Sequence, residues 1–267
     1  MAVSVFSYGI EPANLEATIW RYQPLNRLAD LLKTRQLYFR RADLFEDPSE
    51  ALPPEHDDPF ALNLLTPEQE QERRNQRGFA ACIRQSFYAS CWFTSETEDV
   101  RMWRKFAYPD GVVVRSTYAS LKAVGDAIPT NASIGMIRYG KAHLNPNREN
   151  LIEYASTKGW DYRHEKEARL LLWDAAPEET GNRHIDQFGE YHDHVIYPLP
   201  VSKGLRHYVD IPTLITEVLV SPFADESRLV EVSKLVQDAG FSFPVRRSDL
   251  TSKAIAIPTV DELDRYS

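Results

Sequence analysis

The sequence predicts an α+β fold, a mixed and mainly antiparallel sheet with flanking helices. Three observations carry the prediction. Short runs rich in β-branched and aromatic residues read as strands: I-W-R-Y at 19–22, Y-A-S-C-W-F-T at 88–94 and V-V-V at 112–114. Leu25, Leu28, Leu31 and Leu32 fall on one stripe at helical spacing. Strands and helices then follow one another without the regular alternation of a βαβ protein.

Taken in order, the strand at 19–22 is followed by the helix beginning at Pro24-Leu25-Asn26, and by a second strand at 37–39. The loop D-L-F-E-D-P-S-E follows, turned by Pro48. Thr66-Pro67-Glu68-Gln69 is a helix start, with Thr66 as N-cap and Gln69 closing a capping box. The charged helix it opens belongs to an insertion over about 55–84. Cys91 and its aromatic neighbours place the 88–94 strand in the core, and 97–106 is helical. Asp110-Gly111 turns the chain into the 112–114 strand. A short helix at 118–124, a strand at 135–139 and a helix at 150–158 stopped by Gly159 come next. Beyond a polar loop, strands are expected at 195–199, 203–209, 217–220 and 243–245, with a helical turn at 211–215 and an amphipathic helix at 225–239 stopped by Gly240.

Composition narrows the function classes. The 267 residues are 43% hydrophobic and 26% charged, an ordinary globular balance, and read as a single domain over 1–267. A net charge of -8 argues against a surface that coats nucleic acid. No apolar run is long enough for a membrane span, and M-A-V-S-V-F-S-Y-G-I has no basic region of a signal peptide. With only Cys82 and Cys91, reduced thiols in a cytoplasmic protein are expected. The histidines His184, His192 and His194 suggest no third ligand, so no metal site is expected.

The chain centres on W-D-Y-R-H-E-K-E-A-R-L-L-L, residues 160–172. Glu165, Glu167 and Arg169 stand two apart before an apolar run, so on a strand they project from one face. Neighbouring carboxylates need a cation, a hydroxyl-rich ligand or solvent, and Arg169 is the local cation. The same spacing also suits a solvated strand face with cross-strand ion pairs.

Together with I-W-R-Y, L-Y-F, F-E-D-P-S-E, S-C-W-F-T, M-W-R-K-F with D-G-V-V-V, E-V-L-V-S-P and a late R-S, this stretch resembles a bacterial family catalogued as domain of unknown function 2971, over about 19–256. The order also resembles ADP-ribosyltransferase toxins, including those that act on DNA. That second resemblance implies a split sheet, NAD as substrate, a protein or nucleic-acid acceptor, and a toxin or phage-defence role. On it, Arg21 takes the first-strand position, Ser90 or Tyr38 the second, and Glu165-x-Glu167 the third. The sequence departs from the pattern in having no clear Ser-Thr-Ser and a long interval from Arg21 to Glu167.

On this reading Arg21 and Arg169 belong to the NAD-binding side, since a guanidinium fork holds phosphate bidentately. Glu167 stabilises the ribosyl cation left by nicotinamide, and Glu165 orients or deprotonates the acceptor. Tyr38, Trp92 or Trp103 stacks on a base. The local alternatives are that Arg21 pairs with Asp43 or Asp47, that Trp92, Met102 and Trp103 are core, and that Arg73, Arg74 and Arg77 lie on a solvated helix face. Two other classes compete: a non-enzymatic nucleotide- or protein-binding module, and a Mg²⁺-dependent nuclease using Asp43, Asp47, Glu165 and Glu167.

Overall fold

The structure, a computed structural model, describes residues 4–5, 11–47, 66–68, 84–140, 152, 155–173, 180–183, 197–200 and 202–250. The expected helix over 69–83, Arg73, Arg74, Arg77, Cys82, the three loop histidines and residues 251–256 lie outside them.

One ten-stranded sheet organises the described chain. Along it run β1 (Ser4–Val5), β6 (Ala132–Met136), β9 (Glu167–Trp173), β4 (Phe87–Thr94), β2 (Thr18–Gln23), β5 (Val112–Thr117), β13 (Glu217–Val220) and β14 (Val245–Arg247). Off this path, β3 (Gln36–Arg41) pairs with both β4 and β12 (Gly204–Tyr208). The β1–β6 and β13–β14 pairs are parallel, and every other pairing in the sheet is antiparallel. Two small ladders stand apart: β7 (Arg138–Tyr139) with β8 (Thr157–Lys158), and β10 (Thr180–Arg183) with β11 (Tyr197–Pro200).

Pleating sorts the core into two sides. Ile19, Tyr88, Trp92, Val112, Val114, Ala168, Leu170 and Leu172 join the larger cluster. It is covered by Leu28, Leu31 and Leu32 of α1 (Leu25–Thr34), by Tyr118, Leu121 and Val124 of α3 (Tyr118–Asp126), and by Val232 and Val236 of α5 (Glu226–Asp238), with Ile211 and Leu214 of α4 (Ile211–Leu214). On the other side Trp20, Tyr22, Phe93, Val113 and Leu219 pack on Met102 and Trp103 of α2 (Val100–Phe106). Caps fix the helix starts. Asp99 accepts from the backbone N–H of Arg101 and Met102, Thr117 from Ser120, and Asp210 from Thr213.

The sheet forks at β4. At one end of its edge β4 pairs with β2, through Ile19 opposite Thr94 and Trp20 opposite Phe93. At the other end it pairs with β3, through Arg40 opposite Ala89 and Arg41 opposite Tyr88. Ser90, Cys91 and Trp92 lie between, where β2 and β3 part around α1. Gly204 lets β12 close on β3 here: a Cβ would stand 2.5 Å from the Tyr38 ring and closer still to the Phe39 carbonyl.

Two local expectations are corrected. Residues 157–158 are not the end of a helix: Thr157 and Lys158 pair with Arg138 and Tyr139, so backbone pairing across the chain overrides local helical pattern. Glu165 is not on a strand with Glu167. It closes the 3₁₀ turn Trp160–Glu165, after which Lys166 turns left-handed (φ 40°) and β9 begins at Glu167. No helix among the described residues is long and apolar enough to cross a membrane.

Candidate functional site

Directly opposed residues on neighbouring strands project to the same face. Phe93 opposite Glu167 and Cys91 opposite Arg169 therefore share the face of Trp20 and Tyr22, whereas Arg21 leaves with Ser90 and Trp92 on the other. The fork joins the two sides. A cavity of about 310 Å³ is lined by Arg21 and Trp92 as well as by Cys91, Glu165, Glu167 and Arg169. That volume is at the small end of the roughly 300–1,000 Å³ of small-molecule sites. Exposed Arg27, Arg40, Glu46, Lys105 and Phe106 stand at its rim, and its floor is buried.

Arg21 clasps the fork. Its Nη1 donates to Ser90 Oγ at 2.9 Å and its Nη2 to the Tyr38 carbonyl at 3.1 Å, with the guanidinium 5.7 Å from the Trp92 ring. Burial pushes its pKa down to about 10, so it remains charged at neutral pH. Ser90 is fully buried and also accepts from Trp92 Nε1 at 3.0 Å, which makes it an orienting hydroxyl for Arg21. Tyr38 donates its hydroxyl to the Lys203 carbonyl, and the guanidiniums of Arg27 and Arg206 lie 5.1 and 5.5 Å from its ring.

The opposite wall is a chain of alternating charges. Arg169 grips Glu167 with Nε–Oε1 at 2.6 Å and Nη2–Oε2 at 3.0 Å, and its Nη1 donates to the Ala155 carbonyl. Lys158 Nζ reaches Glu165 Oε2 at 2.6 Å and Glu167 Oε2 at 3.6 Å, and Lys105 Nζ reaches Glu165 Oε1 at 2.9 Å. The Glu167 backbone N–H donates to Tyr139 Oη at 2.7 Å.

These neighbours sort the two glutamates. Burial raises the Glu165 pKa, but Lys158 and Lys105 outweigh it and leave the group below the ordinary carboxylate range. Burial raises that of Glu167 and is reinforced by Glu165, with Lys158 acting against it; the carboxyl lies above its usual value. Burial lowers Arg169 likewise, while the two parallel hydrogen bonds hold the pair in its charged form. The Cys91 thiol, on the face of Glu167 and Arg169, has its pKa pushed well up by burial and then by Glu167, with Arg21 acting against them.

Of the residues expected at a site, Arg21, Tyr38, Glu165, Glu167 and Arg169 line this cavity, and Ser90 stands behind Arg21. Trp103 does not: it is fully buried in the core, edge-on to Tyr22 at 5.1 Å, with Nε1 donating to Glu98. It offers no stacking face to a ligand. Asp43 pairs with Arg41 rather than Arg21, away from the cavity, and no group of three His, Cys, Asp or Glu spaced to hold a metal occurs among the described residues. Sequence reasoning missed Lys158, Lys105 and Tyr162. The only signal was that two adjacent carboxylates require cations, and nothing local says which.

Comparison with family models, with curated proteins and with solved structures returns no match.

Proposed function

We propose that the cavity binds NAD and that the protein is an ADP-ribosyltransferase-like enzyme, of the type implied by the resemblance to toxin transferases. The reading is carried by one observation: Arg21 and the Glu165-x-Glu167 pair, far apart in sequence, line one cavity. Arg21 holds a phosphate edge. The bond from ribose to nicotinamide breaks, nicotinamide leaves with the electron pair, and the resulting ribosyl cation needs a nearby negative charge. Glu167 supplies it by accepting a hydrogen bond from the neighbouring ribose hydroxyl, loosening one of its contacts with Arg169. Glu165, held ionised by two lysines, suits orientation of the acceptor better than removal of its proton. The acceptor, a protein or a nucleic acid in keeping with a toxin or phage-defence effector, bonds to the ribosyl carbon through an oxygen or nitrogen whose proton passes to solvent.

Nicotinamide release is the test. Glu167→Gln is expected to lower it by about 10²–10³-fold, with circular dichroism confirming that the variant is folded at the assay temperature, and NAD is expected to raise the wild-type midpoint. Equal rates in wild type and variant remove Glu167 from the mechanism. The absence of both release and a thermal shift overturns the enzyme reading.

One observation favours a second reading, a nucleotide-binding module without turnover. Every oxygen of Glu165 and Glu167 already faces a cation, so each carboxylate presents a compensated charge to a ligand. A thermal shift with NAD and no release of nicotinamide is its signature.

A further inference from the structure

Among the described residues six cations line the cavity, and they divide sharply. Lys105, Lys158 and Arg169 are bound to Glu165 or Glu167. Arg21, Arg27 and Arg40 have no carboxylate within ion-pair distance among the described residues. The other acids of the lining are turned elsewhere: Asp30 to Arg206, Glu46 to Lys105, and Asp47 toward Arg84 and Arg169. In a chain of net charge -8, three guanidiniums in one cavity that no described carboxylate compensates are an arrangement that an anion completes.

The amino end of α1 adds to them. Gln23 and Pro24, at the start of the helix, line the cavity together with Arg27 of its first turn. No side chain caps this end, and its first turn holds no acid. An arginine there opposes the helix dipole unless an anion lies between them. Arg27 and Arg21 are close enough to repel, which lowers the Arg21 pKa further. Two of the five Arg21 N–H groups are used on Ser90 and Tyr38, which leaves three for a ligand.

We propose that Arg21, Arg27 and Arg40, with the amino end of α1, form a binding wall for the diphosphate of a nucleotide. The three guanidiniums come from β2, α1 and β3, between the fork and the rim, and a diphosphate offers them two linked anionic groups. The proposal rests on the reading above in placing the ligand in this cavity, but it does not require turnover.

The test is calorimetric titration of the full chain with ADP, AMP, adenosine, inorganic phosphate and pyrophosphate at one fixed salt concentration. ADP is expected to bind more tightly than AMP, and adenosine not measurably. Pyrophosphate bound as tightly as ADP assigns recognition to the diphosphate alone, and weaker pyrophosphate binding adds the nucleoside. Arg27 and Arg40 are exposed, so Arg27→Gln and Arg40→Gln keep the fold. Each should weaken ADP binding about tenfold, while Lys33→Gln, on α1 but outside the cavity, should not. Adenosine binding as well as ADP, or both arginine variants matching wild type, overturns the wall. ADP binding lost in the variants with no nicotinamide released from NAD keeps the wall and removes the transferase. NAD turnover unchanged by either variant, without ADP binding, does the reverse.

Discussion

Glu167 and Arg169, two residues apart on β9, close a two-hydrogen-bond pair of 2.6 and 3.0 Å with Arg169 1% and Glu167 5% exposed. Pleating sets both side chains on one face, and burial makes each dependent on the other. Glu167 is thus part of the folded scaffold as well as of the proposed chemistry.

Removing one partner should cost far more than removing both. Arg169→Met is expected to destabilise by about 3–5 kcal/mol, because it strips a buried carboxylate of its bidentate partner. The double variant Glu167→Gln, Arg169→Met should recover part of that loss. Urea unfolding of the two single variants and the double variant measures the coupling. An Arg169→Met cost under about 1 kcal/mol would mean that Lys158 alone answers Glu167.

Glu165 sets an acid limit. Its pKa in the fold is below its unfolded value of roughly 4.3. A lowered carboxylate contributes stability above the unfolded pKa and loses it as pH falls through the folded one. Lys158 has the opposite sign: although burial lowers it, Glu167 and Glu165 raise it, so its contribution holds below its unfolded pKa and fades as pH rises past the folded value. Glu165→Gln should therefore lower stability at neutral pH and flatten the acid limb below about pH 4. Unfolding midpoints measured across pH for wild type and variant check this; parallel curves in acid would refute it.

Cys91 reports on the cavity from within. Burial first, then the Glu167 charge and hydrogen bond, hold its thiol well above the ordinary range, so little thiolate forms near neutral pH. Alkylation at Cys91, followed residue by residue by mass spectrometry, should be slow in the folded protein and faster in Glu167→Gln. Labelling of wild type as fast as the unfolded chain would show the thiol to be outside this environment. The measurement also tests whether both cysteines are reduced, with Cys82 read separately.

The sequence alone determined the α+β class and most strands and helices of the described chain. Those features are local: the apolar runs of 87–94 and 167–173 and the leucine stripe of α1 are written in neighbouring residues. It also marked Glu167 and Arg169 as partners, because a period of two is a property of the strand itself. Only the tertiary structure decided the rest of the cavity. A left-handed Lys166 separates Glu165 from the strand, and Lys158, on a two-residue strand paired with Arg138 and Tyr139, brings the two glutamates together. Alternation would have sent Arg21 and Glu167 to opposite faces; the parting of β2 from β3 along β4 opens the sheet between them. Which strand pairs with which is settled by long-range packing and hydrogen bonding, and neighbouring residues carry no record of it.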